Sequence, residues 1–230
     1  MSTPFQDRDL RQRGLIPPAK LAQVHALVIG VGAIGRQVAL QLAAIGVSRM
    51  TLYDRDHVAI ENLAVQGYWP EDLEQPKVVA TARVCRQILP GIELSAMAER
   101  YRRQSIAADD GRPVVFACVD SINTRRMLWE SLHSCVALFV DGRMNAEVIR
   151  VLAADERTDP RLYNSTLFPE QEAHAGACTA RSTIYSASLA AGFMVAQFAR
   201  WLRGLPVVPD QTLNLLSSEL ILPGEAAFPG

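Results

Sequence analysis

Buried-strand patterns alternate with helical patterns along much of the chain. Residues 24–29 are apolar except for His25, which indicates a buried strand, and a glycine-rich segment leads from it into a predicted helix over residues 36–44. Gly46 suits the C-cap of that helix. Residues 50–53 predict the next strand, which ends on Asp54. A strand, a helix and a second strand of these lengths form the βαβ unit of a parallel sheet.

The alternation continues beyond this unit. Further helices are predicted over residues 76–89 and 123–133, and further strands over 92–97, 113–119, 137–140 and 147–153. Two of these strands end on aspartates, Asp120 and Asp141. This order predicts an α/β fold with a doubly wound, mainly parallel, Rossmann-like sheet.

The C-terminal third has a different pattern. Residues 155–177 lose their periodicity and are predicted to form a long loop, of the kind that often serves function. Ser182 is the expected N-cap of a long helix whose apolar stripe runs from Ile184 to Leu202. A late strand is predicted over residues 213–222.

Composition narrows the function classes. The chain has 230 residues, 49% of them hydrophobic, and a net charge of −1, so it resembles an ordinary globular protein and is not a probable nucleic-acid binder. The sequence shows neither a secretory signal nor an apolar run long enough for a membrane, and we expect a cytoplasmic protein without membrane contact. The cysteines form no CxxC pair, so no zinc site is expected.

The glycine-rich segment carries the first candidate chemistry. Gly30, Gly32 and Gly35, with Ala33 and Ile34 between the last two, lie between a predicted strand and a helix. Such glycines permit a tight turn, let a phosphate approach the backbone and bring the helix close to the strand. Asp54 follows Gly30 by 24 positions and suits the hydroxyls of a ribose. These residues predict a nucleotide site but leave NAD and ATP both open.

Several other segments resemble one family in order along the chain. The stretch from Asp54 through Asp56 to Asn62 and Gln66 resembles the D-x-D-x-V-x-x-x-N-L-x-R-Q signature of the ThiF/MoeB/HesA family, bacterial relatives of ubiquitin-activating enzymes. Three more matches extend the resemblance over residues 8–202: the phosphate-binding lysine (Lys77), a strand-end D-x-x-x-x-R (Asp120 and Arg125) and the arginine of an R-Y-x-R-Q segment (Arg11). An NAD-dependent oxidoreductase would give Lys77, Asn62 and Arg11 no role.

The resemblance implies an adenylyltransferase that uses ATP and Mg²⁺ on the C-terminal glycine of a small ubiquitin-like or sulfur-carrier protein ending in Gly-Gly. It implies that Lys77 and Arg11 act on the phosphates, that Asp120 binds Mg²⁺, and that ATP is held by the glycine-rich turn and by Asp54, Asp56, Asn62, Gln66 and Arg125. It further implies a homodimer, because Arg11 would act as an arginine finger across the dimer. We expect one domain over residues 1–230, with a nucleotide-binding half at about 24–140 and a crossover loop and carrier-binding half at about 141–222.

The chain departs from the family signature at Val65, which stands where the family has an arginine. Arg125 or Arg143 would have to compensate, or catalysis is slow, or the chain is a degenerate nucleotide-binding partner of such a system. Three roles are open for Arg143: it binds a phosphate, it binds the tail of the carrier, or it forms an ion pair with Glu147.

The four cysteines fall into two groups. Some family members have a cysteine at the position of Cys178 that takes part in thioester or related transfer, and Arg181 nearby would favour its thiolate. A small buried residue at a junction between loop and helix is the other interpretation of Cys178. The other three, Cys85, Cys118 and Cys135, lie in apolar patterns and are expected in the core.

Overall fold

The computed structural model describes residues 8–102, 112–169 and 182–222. Its centre is one eight-stranded sheet in the order β3-β2-β1-β4-β5-β6-β7-β8. The first five strands in this order are parallel, and β6, β7 and β8 continue the sheet in antiparallel pairs. The strands are β1 His25–Ile29, β2 Arg49–Tyr53, β3 Glu93–Met97, β4 Val114–Ala117, β5 Leu138–Asn145, β6 Val148–Asp155, β7 Asp210–Asn214 and β8 Glu219–Ile221. The predicted α/β class with a mainly parallel sheet is confirmed.

Helices cover both faces of the sheet. The described helices are α1 Pro18–Leu21, α2 Ala33–Ile45, α3 Ile60–Gln66, α4 Lys77–Ile88, α5 Ile122–Leu132, α6 Pro160–Asn164 and α7 Ile184–Leu202, with a 3₁₀ turn at Pro70–Asp72. Strand side chains alternate between the faces, so β1 sends Val28 into the core shared with α2, α4 and α7, and Ile29 into the core shared with α5. At the end of α2, Gly46 has φ +98° and its N–H bonds to Ala43 O, which confirms the predicted C-cap.

Several predicted element boundaries are wrong, and local backbone or side-chain geometry explains four of them. The predicted loop over 155–177 contains α6, which Asp159 caps by accepting from the Arg161 N–H and which is too short to show a period. Thr183, not Ser182, caps α7 by accepting from the Ser186 N–H. The helix predicted from residue 36 begins at Ala33, directly after the capping Gly32.

The fourth correction concerns the late strand. Residues 213–222 form parts of two strands, β7 and β8, that pair as an antiparallel hairpin. Asn214 makes the turn, because its side-chain oxygen accepts from the N–H groups of Leu216 at 3.1 Å and Ser217 at 3.4 Å. Ser218 then takes the left-handed conformation, with φ +55°.

Within the described ranges, no helix is both long enough and apolar enough to cross a membrane.

Candidate functional site

The glycine-rich turn joins β1 to α2 at the carboxyl edge of the parallel strands. A Cβ at Gly35 would lie 1.8 Å from Gly30 O, and a Cβ at Gly30, whose φ is +88°, would lie 2.5 Å from Cys118 O. Both positions therefore need glycine for close packing between turn, helix and strand. At Gly32 the nearest atom to such a Cβ is Gln66 Oε1, at 4.0 Å, so space is left on that side of the turn. A strand-end turn that opens a helix and leaves space at its second glycine suits a phosphate.

Asp54 directly follows β2 and fixes the glycine-rich turn. Its Oδ2 accepts from the Val31 N–H at 2.7 Å, and its Oδ1 accepts from the Asp56 N–H at 2.9 Å. Each carboxylate oxygen has more than one lone pair, so these bonds leave acceptor capacity for a hydroxyl. The expected role of Asp54 towards a ribose stays a prediction.

Lys77 is the first residue of α4 and is buried, with 7% of its surface exposed. Its Nζ lies 3.5 Å from Oδ2 of the exposed Asp56. A lysine at a helix N-terminus is electrostatically unfavourable, because the helix dipole is positive there. The Tyr68 hydroxyl lies 2.7 Å from Val31 O and 3.4 Å from Lys77 O, which places Lys77 beside the glycine-rich turn. A buried cation and two positive helix ends at one place favour an anion.

The helix α3 presents the rest of the signature. Val65 and Gln66 follow Asn62 by three and four residues, so both share one side of this helix with Asn62. Oδ1 of Asn62 accepts from the Ala59 N–H at 2.9 Å and caps the helix. Oε1 of Gln66 is buried and has no hydrogen-bond partner in the structure, although it faces the space beside Gly32. An unpartnered buried polar atom is costly, and a ligand in that space would supply its partner.

Asp120 and Arg125 do not form a pair with each other. Asp120 is exposed beyond the end of β4, while Arg125 is buried on α5. The Arg125 guanidinium donates to Asp141, to Gly142 O at 3.1 Å and to Val119 O. Burial lowers the pKa of Arg125 to about 10. Both terminal nitrogens of Arg125 thus have protein partners, and its expected contact with ATP stays a prediction.

Arg143 joins the same buried group. Its Nε donates to Asp141 Oδ2 at 2.8 Å, and its other nitrogens donate to the carbonyl and hydroxyl of Thr166 at 2.9 and 3.0 Å. The expected alternative of an ion pair with Glu147 is not what the structure shows, because Glu147 accepts from the Tyr185 hydroxyl. Two arginines share one buried carboxylate here, which leaves an excess positive charge. The Asp141 carboxylate also accepts from Tyr163, so this charged group lies on the α5 face of the sheet, whereas a Cβ at the adjacent Gly142 would point to Ile34 and Met194 on the other face.

Sequence reasoning missed Arg36, which lies in the fourth position of α2 and is 2% exposed. Its Nε and one terminal nitrogen donate to Gly67 O at 3.2 and 2.8 Å, and its guanidinium carbon lies 4.4 Å from the centre of the Tyr68 ring. Burial lowers the pKa of Arg36. The one available signal was an arginine at a position where the helical pattern requires a buried residue.

Arg11 lies far from the turn of its own chain. Gln12, the next residue, donates to Ile45 O at 2.8 Å, and Arg8 donates to Ala43 O and Ala44 O, so this segment packs on the C-terminal end of α2. The glycine-rich turn is at the other end of this 13-residue helix, which at 1.5 Å per residue is about 20 Å away. Arg11 is exposed, and the fold separates it from the other candidate residues.

Burial makes two of the described cysteines poor nucleophiles. Cys85 is buried within α4, and burial raises the pKa of its thiol, like that of Cys118, to about 12. Cys135 donates weakly to the carbonyls of Ser131 and Leu132. Cys178 lies outside the described residues. Among the described residues, no three His, Cys, Asp or Glu side chains group as ligands for a metal ion.

The ThiF family profile matches residues 8–219 of the chain. The chain belongs to the ThiF family. Its similarity to the sulfur carrier protein ThiS adenylyltransferase of Escherichia coli is 35% identity over 121 residues, covering 52% of the chain and 47% of that protein. It is 27% identical over 133 residues to the molybdopterin-synthase adenylyltransferase of Salmonella typhimurium, covering 56% of the chain and 53% of that protein. The chain therefore spans about half the length of these ThiF-family relatives.

Solved structures confirm the ThiF-family fold. The crystal structure of PaaA superposes with a TM-score of 0.77 and 19% identity, covering 96% of the chain and 83% of PaaA. The structure of E. coli MccB with ATP superposes with a TM-score of 0.72 and 13% identity, covering 89% of the chain and 65% of MccB. At these identities the likeness concerns the fold.

Proposed function

We propose that this chain binds ATP and Mg²⁺ and adenylates the C-terminal glycine of a small ubiquitin-like or sulfur-carrier protein ending in Gly-Gly. The observation that carries the proposal is the meeting of the glycine-rich turn, the N-terminus of α2 and the buried Lys77 at the N-terminus of α4. The relatives support the class of reaction and substrate, since two of them are named adenylyltransferases of a sulfur carrier and of molybdopterin synthase.

Different residues of the chain have different roles in the proposed reaction. An oxygen of the carrier's terminal carboxylate bonds to the α-phosphorus of ATP, the bond from that phosphorus to the β-phosphate breaks, and pyrophosphate leaves. Negative charge grows on phosphate oxygens in this step, so cations held in place beforehand stabilise the transition state. Lys77 and the Arg11 of a second copy fill that role, while Asp54 holds the ribose and Asp56 orients Lys77. Bound Mg²⁺ would neutralise phosphate charge, and Asp120 offers it a carboxylate.

A homodimer forms part of the proposal. Arg11 packs against the end of α2 that is about 20 Å from the turn, so an arginine finger at this position must reach the turn of another protomer. Use of ATP also fits a cytoplasmic location, which fractionation of cells with an antibody against the chain would test.

The test of the proposed function is exchange of labelled pyrophosphate into ATP, with the Val65→Arg variant alongside the natural chain. With a carrier ending in Gly-Gly, we expect exchange by the natural chain, and exchange at least about 10-fold faster by Val65→Arg, since an added cation should recover part of the roughly 100- to 1,000-fold that one such group contributes. Val65→Leu is the matched control for size without charge and should exchange at the natural rate. No exchange by the natural chain with any carrier, together with activity of Val65→Arg, would instead favour a degenerate nucleotide-binding partner.

We further propose a second step in which the Cys178 thiolate attacks the carbonyl carbon of the acyl-adenylate, so that a thioester forms and AMP leaves. Arg181, three positions later in the sequence, would favour the thiolate. Cys178→Ala should keep pyrophosphate exchange while losing any thiol-sensitive covalent complex with the carrier on non-reducing gels. Cys85→Ala is the control, since its buried thiol has a raised pKa and should not form the complex. A complex that survives in Cys178→Ala would contradict the second step.

A further inference from the structure

Tyr68 is a buried tyrosine that the proposed reaction does not use. It is 3% exposed, and it follows α3 directly after Gly67. Its hydroxyl lies 2.7 Å from Val31 O, 3.2 Å from Thr81 Oγ1 and 3.4 Å from Lys77 O. One phenol oxygen therefore touches the glycine-rich turn and the first and fifth residues of α4.

The direction of these hydrogen bonds follows from chemistry. Arg36 can only donate, and one of its nitrogens lies 3.5 Å from Thr81 Oγ1. The Val31 carbonyl can only accept, and its contact with Tyr68 is the shortest, so the single phenol proton belongs there. The hydroxyl of Thr81 then donates to the Tyr68 oxygen. The result is a chain of donors from Arg36 through Thr81 and Tyr68 to Val31 O, and such chains strengthen each bond.

This chain sets the direction of a backbone N–H. The Val31 carbonyl and the Gly32 N–H belong to one planar trans peptide, so they point in opposite directions. Because Tyr68 holds the carbonyl on the buried side, the Gly32 N–H is turned away from Tyr68. The Val31 N–H is held separately by Asp54 Oδ2. The orientation of both peptides on either side of Val31 is thus fixed by side chains.

We infer that Tyr68 is a positioning residue that aims the Gly32 N–H at a phosphate of the bound nucleotide, with Thr81 and Arg36 supporting it. The inference rests on the proposed function, since it concerns ATP at the same turn. Arg36 contributes twice, because it also holds Gly67 O at the end of α3 and lies against the Tyr68 ring.

Tyr68→Phe and Thr81→Val remove the two hydroxyls with little change of shape. Calorimetry should show ATP binding weakened about 3- to 10-fold in Tyr68→Phe, since one oriented hydrogen bond is lost. Adenosine, which has no phosphate, should bind as before. Thr81→Val should give a smaller loss in the same direction, and the double variant should lose less than the two single losses combined, because both act through Val31.

Tyr163→Phe is the matched control. Tyr163 is also 3% exposed, and its hydroxyl donates to Asp141 at 3.0 Å within the core on the other face of the sheet. The Tyr163→Phe variant should have a lower melting temperature than the natural chain but the same ratio of ATP affinity to adenosine affinity. Equal weakening of ATP and adenosine in Tyr68→Phe, or no change of either, would overturn the positioning role.

Hydrogen exchange separates this inference from the proposed function. Amides of residues 30–36 should exchange faster in Tyr68→Phe than in the natural chain, while Tyr163→Phe leaves them unchanged. If the natural chain fails to bind ATP, the proposed function is refuted, whereas unaltered exchange at the turn in Tyr68→Phe refutes the role of Tyr68.

Discussion

Lys77→Ala protein should exchange pyrophosphate into ATP about 100 to 1,000 times more slowly than the natural chain, the loss typical of removing one preorganised group from a developing charge. The reason lies in the position of the lysine. Lys77 is buried at the N-terminus of α4, where the helix dipole opposes it and only the exposed Asp56 lies within ion-pair distance among the described residues. A cation kept at such a place is preorganised for an anionic ligand.

The measurement needs a control for charge alone. Arg86 lies in the last turn of the same helix and donates to Leu94 O at 2.9 Å. Arg86→Ala removes one positive charge from α4 at the end remote from the turn, and it should leave exchange within about twofold, because exposed charges have small effects at a distance. Thermal unfolding of both variants shows whether each is folded. A folded Lys77→Ala protein with the natural rate would remove Lys77 from the reaction.

Sequence reasoning located the groups whose signal is local. The glycines of the turn, Asp54 at a strand end and Lys77 at a helix start each follow from neighbours along the chain, and the structure brings them to one edge of the sheet. The fold class followed from the alternation of strand and helix patterns. The antiparallel hairpin of β7 and β8 did not, because its turn depends on the Asx bonds of Asn214.

The partners of the buried arginines could not be predicted from the sequence, for a different reason. The partners of Arg36 and Arg125 are 31 and 16 residues away along the chain, and no local pattern predicts such pairs. Arg125 matched a family motif with Asp120, yet the structure pairs it with Asp141 and two carbonyls. A motif shows which residue types occur together but not which atoms meet.

The buried arginines change how the valine at position 65 is understood. Arg36 lies within the first turns of α2, and Arg125 and Arg143 share a single carboxylate beside Gly142. None of these guanidinium groups is aimed at open space, but charges in a low-dielectric interior act over a longer range than exposed ones. Arg125 comes close to the turn, because it donates to Val119 O, and the N–H of Val119 lies beside Gly30. Under the proposed function, we expect these charges to support nucleotide binding more than fast catalysis, since none of them replaces the family arginine at position 65.

Equal mixtures of Arg11→Ala and Lys77→Ala protein should regain activity that neither variant has alone. By itself, Arg11→Ala should exchange pyrophosphate about 1,000-fold or more slowly than the natural chain, the range for an arginine finger. Lys77→Ala by itself should be about 100- to 1,000-fold slower. If Arg11 acts across a two-fold dimer, a mixed dimer contains one site with both natural residues and one site with neither. Random exchange makes half of the dimers mixed, so the mixture should reach about a quarter of the natural rate.

The geometry makes this result specific. Arg11 sits beside the C-terminus of α2 through the bonds of Arg8 and Gln12, about 20 Å along the helix from the turn, so it cannot serve the site of its own chain without unfolding that contact. Arg13→Ala, mixed with Lys77→Ala, is the control for removing a nearby exposed arginine, and it should give about half of the natural rate, because half of the sites in the mixture keep Lys77 and Arg13→Ala protein is itself active. Failure of the Arg11→Ala mixture to recover, when subunit exchange is shown by differently tagged chains, would mean that Arg11 does not act in the partner's site. Recovery would place the two cations of one reaction on two copies of the chain.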